Sequence, residues 1–147
     1  MKKTLFGLIA GLALLQANAA EVKWTEDLPK AQEQAKTEKK LVMLDFTGSD
    51  WCGWCIKLNK EVFSQPEFAE YADKNIVAVE VDFPQKKKQT DEQKKANQDL
   101  QKKYNIEGYP TIIVLDGDGK KVGTLGYMPG GPKAFIAELE KIRKKVS

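Results

Sequence analysis

Short apolar runs along the chain alternate with segments in which apolar residues recur every three or four positions. Continuous or β-branched apolar runs are typical of strands, and apolar residues spaced three and four apart are typical of helices with one buried face. Strands are therefore predicted at residues 41–46, 76–81, 111–115 and 122–127. Helices are predicted at about residues 27–38, from Cys52 onward with a kink or restart at Pro66, in the second half of 84–103, and from Pro132.

The order of these elements predicts the fold class. The face of the first helix is assigned on four apolar residues spaced four, three and four apart, which are Trp24, Leu28, Ala31 and Ala35. Helices between strands imply parallel pairing, whereas the turn sequence at 116–119 implies a final antiparallel hairpin. Residues 20–147 are thus expected to form one α/β domain with a central mixed β-sheet and helices on both faces.

Residues 1–19 have the layout of a secretory signal peptide. Met1–Lys3 is positively charged, residues 4–15 are apolar, and Ala17 and Ala19 are the small residues that signal peptidase recognises. The apolar run is shorter than the ~20 residues that a membrane span needs, although an uncleaved anchor is an alternative. We expect cleavage after Ala19, a periplasmic or otherwise exported product, and no stable membrane insertion.

The charge of the chain argues against a nucleic-acid-binding protein. The sequence has 24 basic and 21 acidic residues, and removal of Lys2 and Lys3 with the signal peptide leaves 22 against 21. A nearly neutral exported protein gives little reason to expect the basic surface that nucleic acids require. No dimerisation segment is visible, so a monomer is expected.

The sequence has no histidine, and its two cysteines stand three positions apart. The absence of histidine excludes a Cys/His nucleophile pair, a Ser-His-Asp triad and a zinc site with histidine ligands. Cys52 is expected at or near the first turn of a helix, where unpaired N–H groups and the helix dipole stabilise a thiolate. The thiolate would attack a disulfide, and Cys55 would resolve the mixed disulfide. This chemistry needs neither a cofactor nor a metal.

Two other uses of the cysteine pair are open. A structural disulfide that closes a loop of about four residues stabilises a protein by only ~2 kcal/mol, against ~3 kcal/mol for a 15-residue loop. Two thiolates could instead bind Cu(I) or form part of a zinc site. Zinc would lack two ligands within the chain. A copper-handling dithiol protein is opposed by the lack of histidine and by the scattered positions of Met1, Met43 and Met128.

Three segments resemble the thioredoxin family in their order and context. They are Leu44-Asp45-Phe46, Trp51-Cys52-Gly53-Trp54-Cys55 and Gly108-Tyr109-Pro110-Thr111. The likeness covers roughly residues 40–142, and the chain is most similar to bacterial periplasmic thioredoxin-related thiol–disulfide oxidoreductases. The resemblance implies a thioredoxin-like fold and an enzyme that exchanges disulfides through Cys52 and Cys55. The alternative is a non-catalytic binding or chaperone module that keeps only the fold. Loss of a cysteine or of Pro110 would indicate such a module, and this sequence retains all three residues.

The resemblance implies a substrate-binding role for residues around the cysteines. Pro110 would be a cis-proline facing the active site, with the preceding backbone pairing with a substrate strand; a trans turn is the alternative. Tyr109 would line the substrate groove, or simply fill a gap beside the disulfide. Trp51 would flank the disulfide and shape the docking surface, or serve packing alone. Gly53 and Trp54 complete the set, and Trp54 replaces the proline most typical of cytoplasmic thioredoxins.

Asp45 resembles the buried acid that helps to deprotonate the resolving cysteine in thioredoxins. An apolar strand is an expensive place for an isolated carboxylate, which favours a catalytic role. However, Asp45 lies seven residues before Cys52, one more than is usual in the family. The alternative is an acid paired with a lysine at the end of the strand.

The partners of the protein are predicted only by class. Protein thiols and disulfides are the expected substrates, and the sequence leaves the redox direction open. Turnover as a reductant would need a membrane electron donor, and turnover as an oxidant would need an acceptor. The lysine-rich insert at 84–103 could dock an acidic partner, but its interleaved acids are more typical of a solvated helix face.

Overall fold

The computed structural model describes residues 20–147, so the predicted signal peptide at 1–19 lies outside the described residues. The strands of this part of the chain are β1 (Trp24–Thr25), β2 (Leu41–Thr47), β3 (Ile76–Asp82), β4 (Thr111–Leu115) and β5 (Lys121–Leu125). The helices are α1 (Leu28–Glu38), α2 (Gly53–Leu58), α3 (Pro66–Asn75), α4 (Asp91–Lys103) and α5 (Gly131–Val146). A π-helical turn at Asn59–Phe63 continues α2.

The strands form one mixed sheet in the order β1-β3-β2-β4-β5. Both β1 and β2 lie parallel to β3, whereas β4 lies antiparallel to β2, and β5 antiparallel to β4. The chain between β2 and β3 contains α2 and α3, which provide the long crossover that parallel neighbours require. The predicted α/β fold, with a central mixed sheet and a terminal hairpin, is confirmed.

Helices cover both faces of the sheet. One core cluster contains side chains of α2, α3 and α5, among them Leu58, Phe68 and Phe135. The other contains Ala31 and Ala35 of α1, with Leu100 of α4 packed at its margin. The two-layer covering explains why the central strands read as continuous apolar runs, since both of their faces are buried.

The Asp45 side chain of strand β2 lies on the face of the sheet that α2 covers. All of β2 is buried, and its side chains alternate between the two core clusters. Met43 packs in the cluster that contains the side chains of α2, whereas Val42 and Leu44 pack in the other. Because side chains two positions apart share one face of a strand, Asp45 faces the same layer as Met43.

Capping side chains explain where two helices begin. The Asp27 carboxylate accepts the backbone N–H of Lys30 at 3.0 Å, just before α1. The Thr90 hydroxyl accepts the backbone N–H of Gln93 at 3.1 Å, just before α4. These bonds satisfy N–H groups that have no partner within the first helical turn. The predicted helical second half of the insert is therefore confirmed.

Three details differ from the sequence-based prediction. Trp24 lies in β1 rather than on the face of the first helix, because Asp27 caps that helix and Trp24 comes before the cap. A proline opens α3, as predicted, but the periodicity did not indicate the π-helical turn before it. The last strand ends at Leu125, and Tyr127 leaves the sheet to donate its hydroxyl hydrogen to Glu61, at 2.8 Å.

Candidate active site

Cys52 and Cys55 form a disulfide at the N-terminus of α2. Cys52 is the N-cap residue, and its Sγ accepts the backbone N–H of Cys55 at 3.2 Å. The Cα atoms lie 5.2 Å apart, and the two residues are 8% and 5% exposed. A sulfur atom that receives an N–H at a helix N-terminus is well placed to hold negative charge. The predicted position of Cys52 at the start of a helix is confirmed.

Exposed apolar side chains surround this disulfide in the sequence. Trp51 is 39% exposed, Trp54 is 57% exposed, and Ile56 is 48% exposed. Trp51 is held in place because its indole N–H donates to the carbonyl of Phe83 at 2.7 Å. Apolar surface is therefore left exposed next to the cysteine pair.

Tyr109 lies between two aromatic rings and precedes a cis peptide bond to Pro110. Its ring meets Trp51 edge-on at 5.8 Å between centroids and tilts against Phe83 at 5.4 Å. Its hydroxyl oxygen accepts a hydrogen bond from the Gln101 amide at 2.7 Å. The cis bond that the family resemblance implies is therefore present, and Tyr109 is fixed next to a tryptophan of the cysteine motif.

Trp54 is held by a second group of residues. Its ring stacks at a tilt on Tyr127, with 4.9 Å between centroids. Lys57 places its Nζ 5.1 Å from both ring centroids and 3.9 Å from a carboxylate oxygen of Glu61. The cation is thus attracted to both rings. The exposed Trp54 ring is therefore restrained by contacts with Tyr127 and Lys57.

Asp45 lines a cavity of about 240 Å³ that also reaches Cys55. Among residues 20–147, its Oδ1 has no hydrogen-bond partner, and no lysine or arginine nitrogen lies within 4.0 Å of its carboxylate. Burial, followed by the charges of Glu80 and Asp82, raises the pKa of Asp45 to about 8. The alternative of a lysine pair is therefore wrong within the described part of the chain.

In a comparison with protein families, the thioredoxin-like domain matches residues 28–143. The chain belongs to the thioredoxin-like family. The disulfide bond reductase DsbH of Chlamydia pneumoniae is 39% identical over 126 residues, which cover 86% of this chain and 75% of DsbH. The family assigned from the three sequence segments is thus confirmed.

Two solved structures extend the comparison of this thioredoxin-like chain. The structure of the DsbH oxidoreductase superposes with a TM-score of 0.81 at 37% identity, over 92% of this chain and 95% of that one. The oxidised C-terminal domain of DsbD from Neisseria meningitidis gives a TM-score of 0.57 at 26% identity, over 78% and 91% of the two chains. With its Cys-x-x-Cys disulfide in this fold, the protein is a thiol–disulfide oxidoreductase.

The lysine-rich insert of this thioredoxin-like protein divides into two parts. Its first part is a turn whose backbone is tied to the active-site loop: Asp50 accepts the N–H groups of Gln85, Lys86 and Lys87 at 2.9, 2.7 and 2.9 Å. Its second part is α4, which carries an ion pair between Lys95 and an acid one turn later, at 2.8 Å. The helical part therefore agrees with the interpretation of the insert as a solvated helix face. Docking of an acidic partner by the turn stays a prediction.

Sequence reasoning missed several residues of the site. Glu80 and Tyr127 come from distant parts of the chain, and only folding brings them to the cysteine motif. Asp50 and Lys57 lie two positions from a cysteine, but their contacts with the insert and with Tyr127 form only in the fold. A signal existed for Glu80, because it is the single acid in the apolar run at 76–81, as Asp45 is in the run at 41–46. The same argument that selected Asp45 applies to Glu80.

Neither a metal site nor a membrane-spanning helix is found in the described part of the chain. Within residues 20–147, three or more side chains of histidine, cysteine, aspartate or glutamate are nowhere grouped so that they could hold a metal ion. Over the same range, every helix is too short or too polar to cross a membrane. In this fold the cysteine pair itself provides the redox chemistry.

Replacement of Gly48 by alanine is expected to destabilise the protein by about 1–3 kcal/mol, because it overpacks the site. A Cβ atom at Gly48 would lie 2.6 Å from two atoms of the Trp51 indole, and would push that ring off its hydrogen bond to Phe83. Gly108→Ala is the matched control, since no atom lies within 4 Å of its added Cβ. Urea unfolding of both variants tests this, and equal stabilities would refute the expected clash.

Replacement of Asp45 by asparagine is expected to remove a pH dependence of stability. The pKa of Asp45 rises from an ordinary value of 3.8 to about 8 in the folded protein. Between these values the unfolded chain binds fewer protons than the folded one, so stability falls as the pH rises from about 4 to about 8. The variant should therefore gain on the order of a few kcal/mol relative to the wild type over that range.

Urea unfolding of the oxidised protein at several pH values measures this effect. Asp73→Asn is a suitable control. It also changes a carboxylate to an amide, but at a residue that is exposed on α3. The control should keep the wild-type slope of stability against pH. A wild-type slope retained in Asp45→Asn would show that Asp45 does not hold a proton in the folded protein.

Proposed function

We propose that this protein reduces disulfide bonds of protein substrates outside the cytoplasm, with Cys52 as the attacking thiolate and Cys55 as the resolving thiol. The observation that carries the proposal is the Cys52–Cys55 disulfide at the N-terminus of α2, beside exposed tryptophans. The reducing direction is supported by the name of the relative DsbH, which is a disulfide bond reductase.

The reaction starts from the reduced pair. The Cys52 thiolate attacks one sulfur of a substrate disulfide, forms a mixed disulfide and releases the other substrate sulfur as a thiolate. Cys55 then loses its proton and attacks the Cys52 Sγ, which frees the second substrate sulfur. Two electrons pass to the substrate, and the Cys52–Cys55 disulfide remains. Asp45 is the acceptor for the Cys55 proton, because both side chains line the same cavity.

The substrate would bind to the surface around the Cys52–Cys55 pair. Trp51, Trp54 and Tyr109 offer apolar rings, and the backbone before Pro110 offers groups for a substrate strand. Gly53 leaves open space next to the nucleophile, since no atom lies within 4 Å of the place where a Cβ would stand. An extended substrate segment can therefore approach the disulfide from the side of these residues.

Export and recycling complete the proposal. The predicted signal peptide would deliver residues 20–147 as a monomer to the periplasm or another extracytoplasmic space. Because that compartment is kept oxidising, steady turnover as a reductant needs a membrane protein that supplies electrons. Such a donor would reduce the Cys52–Cys55 disulfide by the same two exchange steps in reverse. No nucleic acid takes part.

Single-turnover reduction of a protein disulfide tests the proposal. Reduced protein, freed of small thiols, is mixed with an equimolar amount of insulin, whose chains are joined by disulfides. We expect free insulin thiols to appear while the Cys52–Cys55 pair becomes oxidised, and the oxidised protein serves as the control. Insulin that stays intact while the pair stays reduced would contradict the proposed function.

A further inference from the structure

Glu80 lies beside Asp45 on the neighbouring strand. The register of β2 and β3 pairs the two residues directly. Both side chains line the cavity of about 240 Å³ that reaches Cys55. Asp45 is 8% exposed, whereas Glu80 is half-buried. The cavity therefore holds a second carboxyl group, which stands closer to solvent than the first.

The other charged groups around Glu80 come from three parts of the chain. Asp82 follows on the same face of β3, and its carboxylate accepts the N–H and the hydroxyl hydrogen of Ser49 at 3.0 and 2.5 Å. Lys87 places its Nζ 3.3 Å from Asp82. Glu26 acts on Glu80 from the segment before α1. Acids therefore outnumber cations around the pair, and the one lysine contacts Asp82.

Helix α2 adds no charged side chain to the lining of the cavity. Its contributions to the cavity are the side chains of Cys55 and Ile56, and the π-helical turn adds Asn59. The remaining lining side chains, from Trp24, Thr47 and Ser49, are also uncharged. The cavity is polar and has room for several water molecules. Protons can therefore move between its walls and solvent.

Burial and like charge keep a proton on the two acids. Burial is the largest cause that raises the pKa of Asp45 to about 8, followed by Glu80 and Asp82. Burial also raises the pKa of Glu80, where Asp82 and Glu26 add to the effect and Lys87 opposes it. Two adjacent carboxyl groups rarely ionise together. Because Glu80 is the more exposed, the negative charge stays on Glu80 and the proton on Asp45.

We propose that Glu80 is a positioning residue for the resolving step, whose carboxylate holds the proton on Asp45 and thereby delays the reaction of Cys55. This inference rests on the proposed role of Asp45 as acceptor of the Cys55 proton. Glu80 acts only through Asp45 and touches no reacting sulfur in this mechanism. The mixed disulfide on Cys52 consequently lives longer at neutral pH than it would beside a lone carboxyl group.

The chemical step balances without a further reagent. After Asp45 loses its proton to solvent through the cavity, it takes the proton of the Cys55 thiol. The Cys55 thiolate forms a bond to the Cys52 Sγ, the bond from Cys52 to the substrate sulfur breaks, and the substrate leaves as a thiolate. This thiolate takes up a proton from solvent. In this step the Cys55 sulfur is oxidised and the departing substrate sulfur is reduced, while Cys52 remains in a disulfide.

The resolving step can be timed with the aromatic disulfide dithiobis-nitrobenzoate. Reduced protein releases one coloured thiolate when Cys52 attacks and a second when Cys55 resolves the mixed disulfide. The rate of the second phase should rise with pH, with a midpoint at about 8, the pKa of Asp45. In Glu80→Gln that midpoint should move down by about one pH unit, and the rate at pH 7 should rise about fivefold.

Two controls keep the test decisive. Glu67→Gln removes an exposed acid from α3 that does not line the cavity, and should leave the second phase unchanged. Carboxyl NMR of oxidised Asp45→Asn should show that the Glu80 titration moves to lower pH, since coupling between two groups is reciprocal. An unchanged midpoint in Glu80→Gln, or an unchanged Glu80 titration in Asp45→Asn, overturns the inference. A missing second phase in the wild type would instead overturn the proposed function.

Discussion

Replacement of Cys52 by serine is expected to abolish disulfide exchange, because the attacking thiolate is lost and a serine hydroxyl does not ionise near neutral pH. The rate should fall by at least about a thousandfold, the scale on which removal of a nucleophile acts. Cys55→Ser should behave differently, since Cys52 can still attack but nothing resolves the product. Mixed disulfides should then accumulate, and mass spectrometry of the protein after mixing with a disulfide substrate measures both outcomes.

The double variant Cys52→Ser, Cys55→Ser is the matched control for this pair. It should form no mixed disulfide, although its fold and docking surface are the same as those of Cys55→Ser. Adducts on Cys55 in the Cys52→Ser variant would reverse the assignment of the two roles. Retained turnover in Cys52→Ser would contradict the mechanism itself.

Replacement of Phe135 by alanine is expected to lower the free energy of unfolding by about 3–5 kcal/mol. Phe135 is 0% exposed, and its ring meets Phe63 and Phe68 at centroid distances of 5.4 and 5.9 Å. Deletion of the ring leaves a cavity between α5, α3 and the π-helical turn, and removes two aromatic contacts. This cluster supports the layer that carries α2, so its loss should loosen the active-site helix as well.

Urea unfolding measures the loss, with Lys133→Ala as the control. Lys133 is exposed two residues before Phe135 on the same helix, and a surface change of this kind should alter stability by no more than about 0.5 kcal/mol. A loss below about 1 kcal/mol in Phe135→Ala would mean that the site collapses freely and that the aromatic cluster is not a close-packed core.

The sequence predicted the larger elements of the fold because their physical signals are local. Runs such as 41–46 and 111–115 are apolar throughout, and the structure buries them in the centre of the sheet. Strand β1 escaped prediction because two residues show no periodicity, and Trp24 matched a helical spacing by chance. The π-helical turn at 59–63 escaped because one extra residue per turn hardly changes the spacing of apolar side chains.

The candidate site was predictable where its chemistry lies in contiguous residues. Cys52 and Cys55 carry their own motif, and the family resemblance supplied the cis bond at Pro110, which no spacing argument reveals. Contacts between distant parts of the chain were not predictable. The bonds from Asp50 to the insert span 35 to 37 residues, and the pairing of Asp45 with Glu80 requires the strand register.

The reduction potential of the Cys52–Cys55 pair tests the central claim most directly, because that claim is a reducing thiol–disulfide oxidoreductase. The protein would be equilibrated in glutathione or dithiothreitol buffers of defined potential, and the fraction oxidised would be read by alkylation and mass spectrometry. A potential near that of thioredoxin, about −270 mV, is the predicted result. A potential near about −120 mV would make the protein a donor of disulfides, and a pair that never equilibrates would contradict the oxidoreductase account altogether.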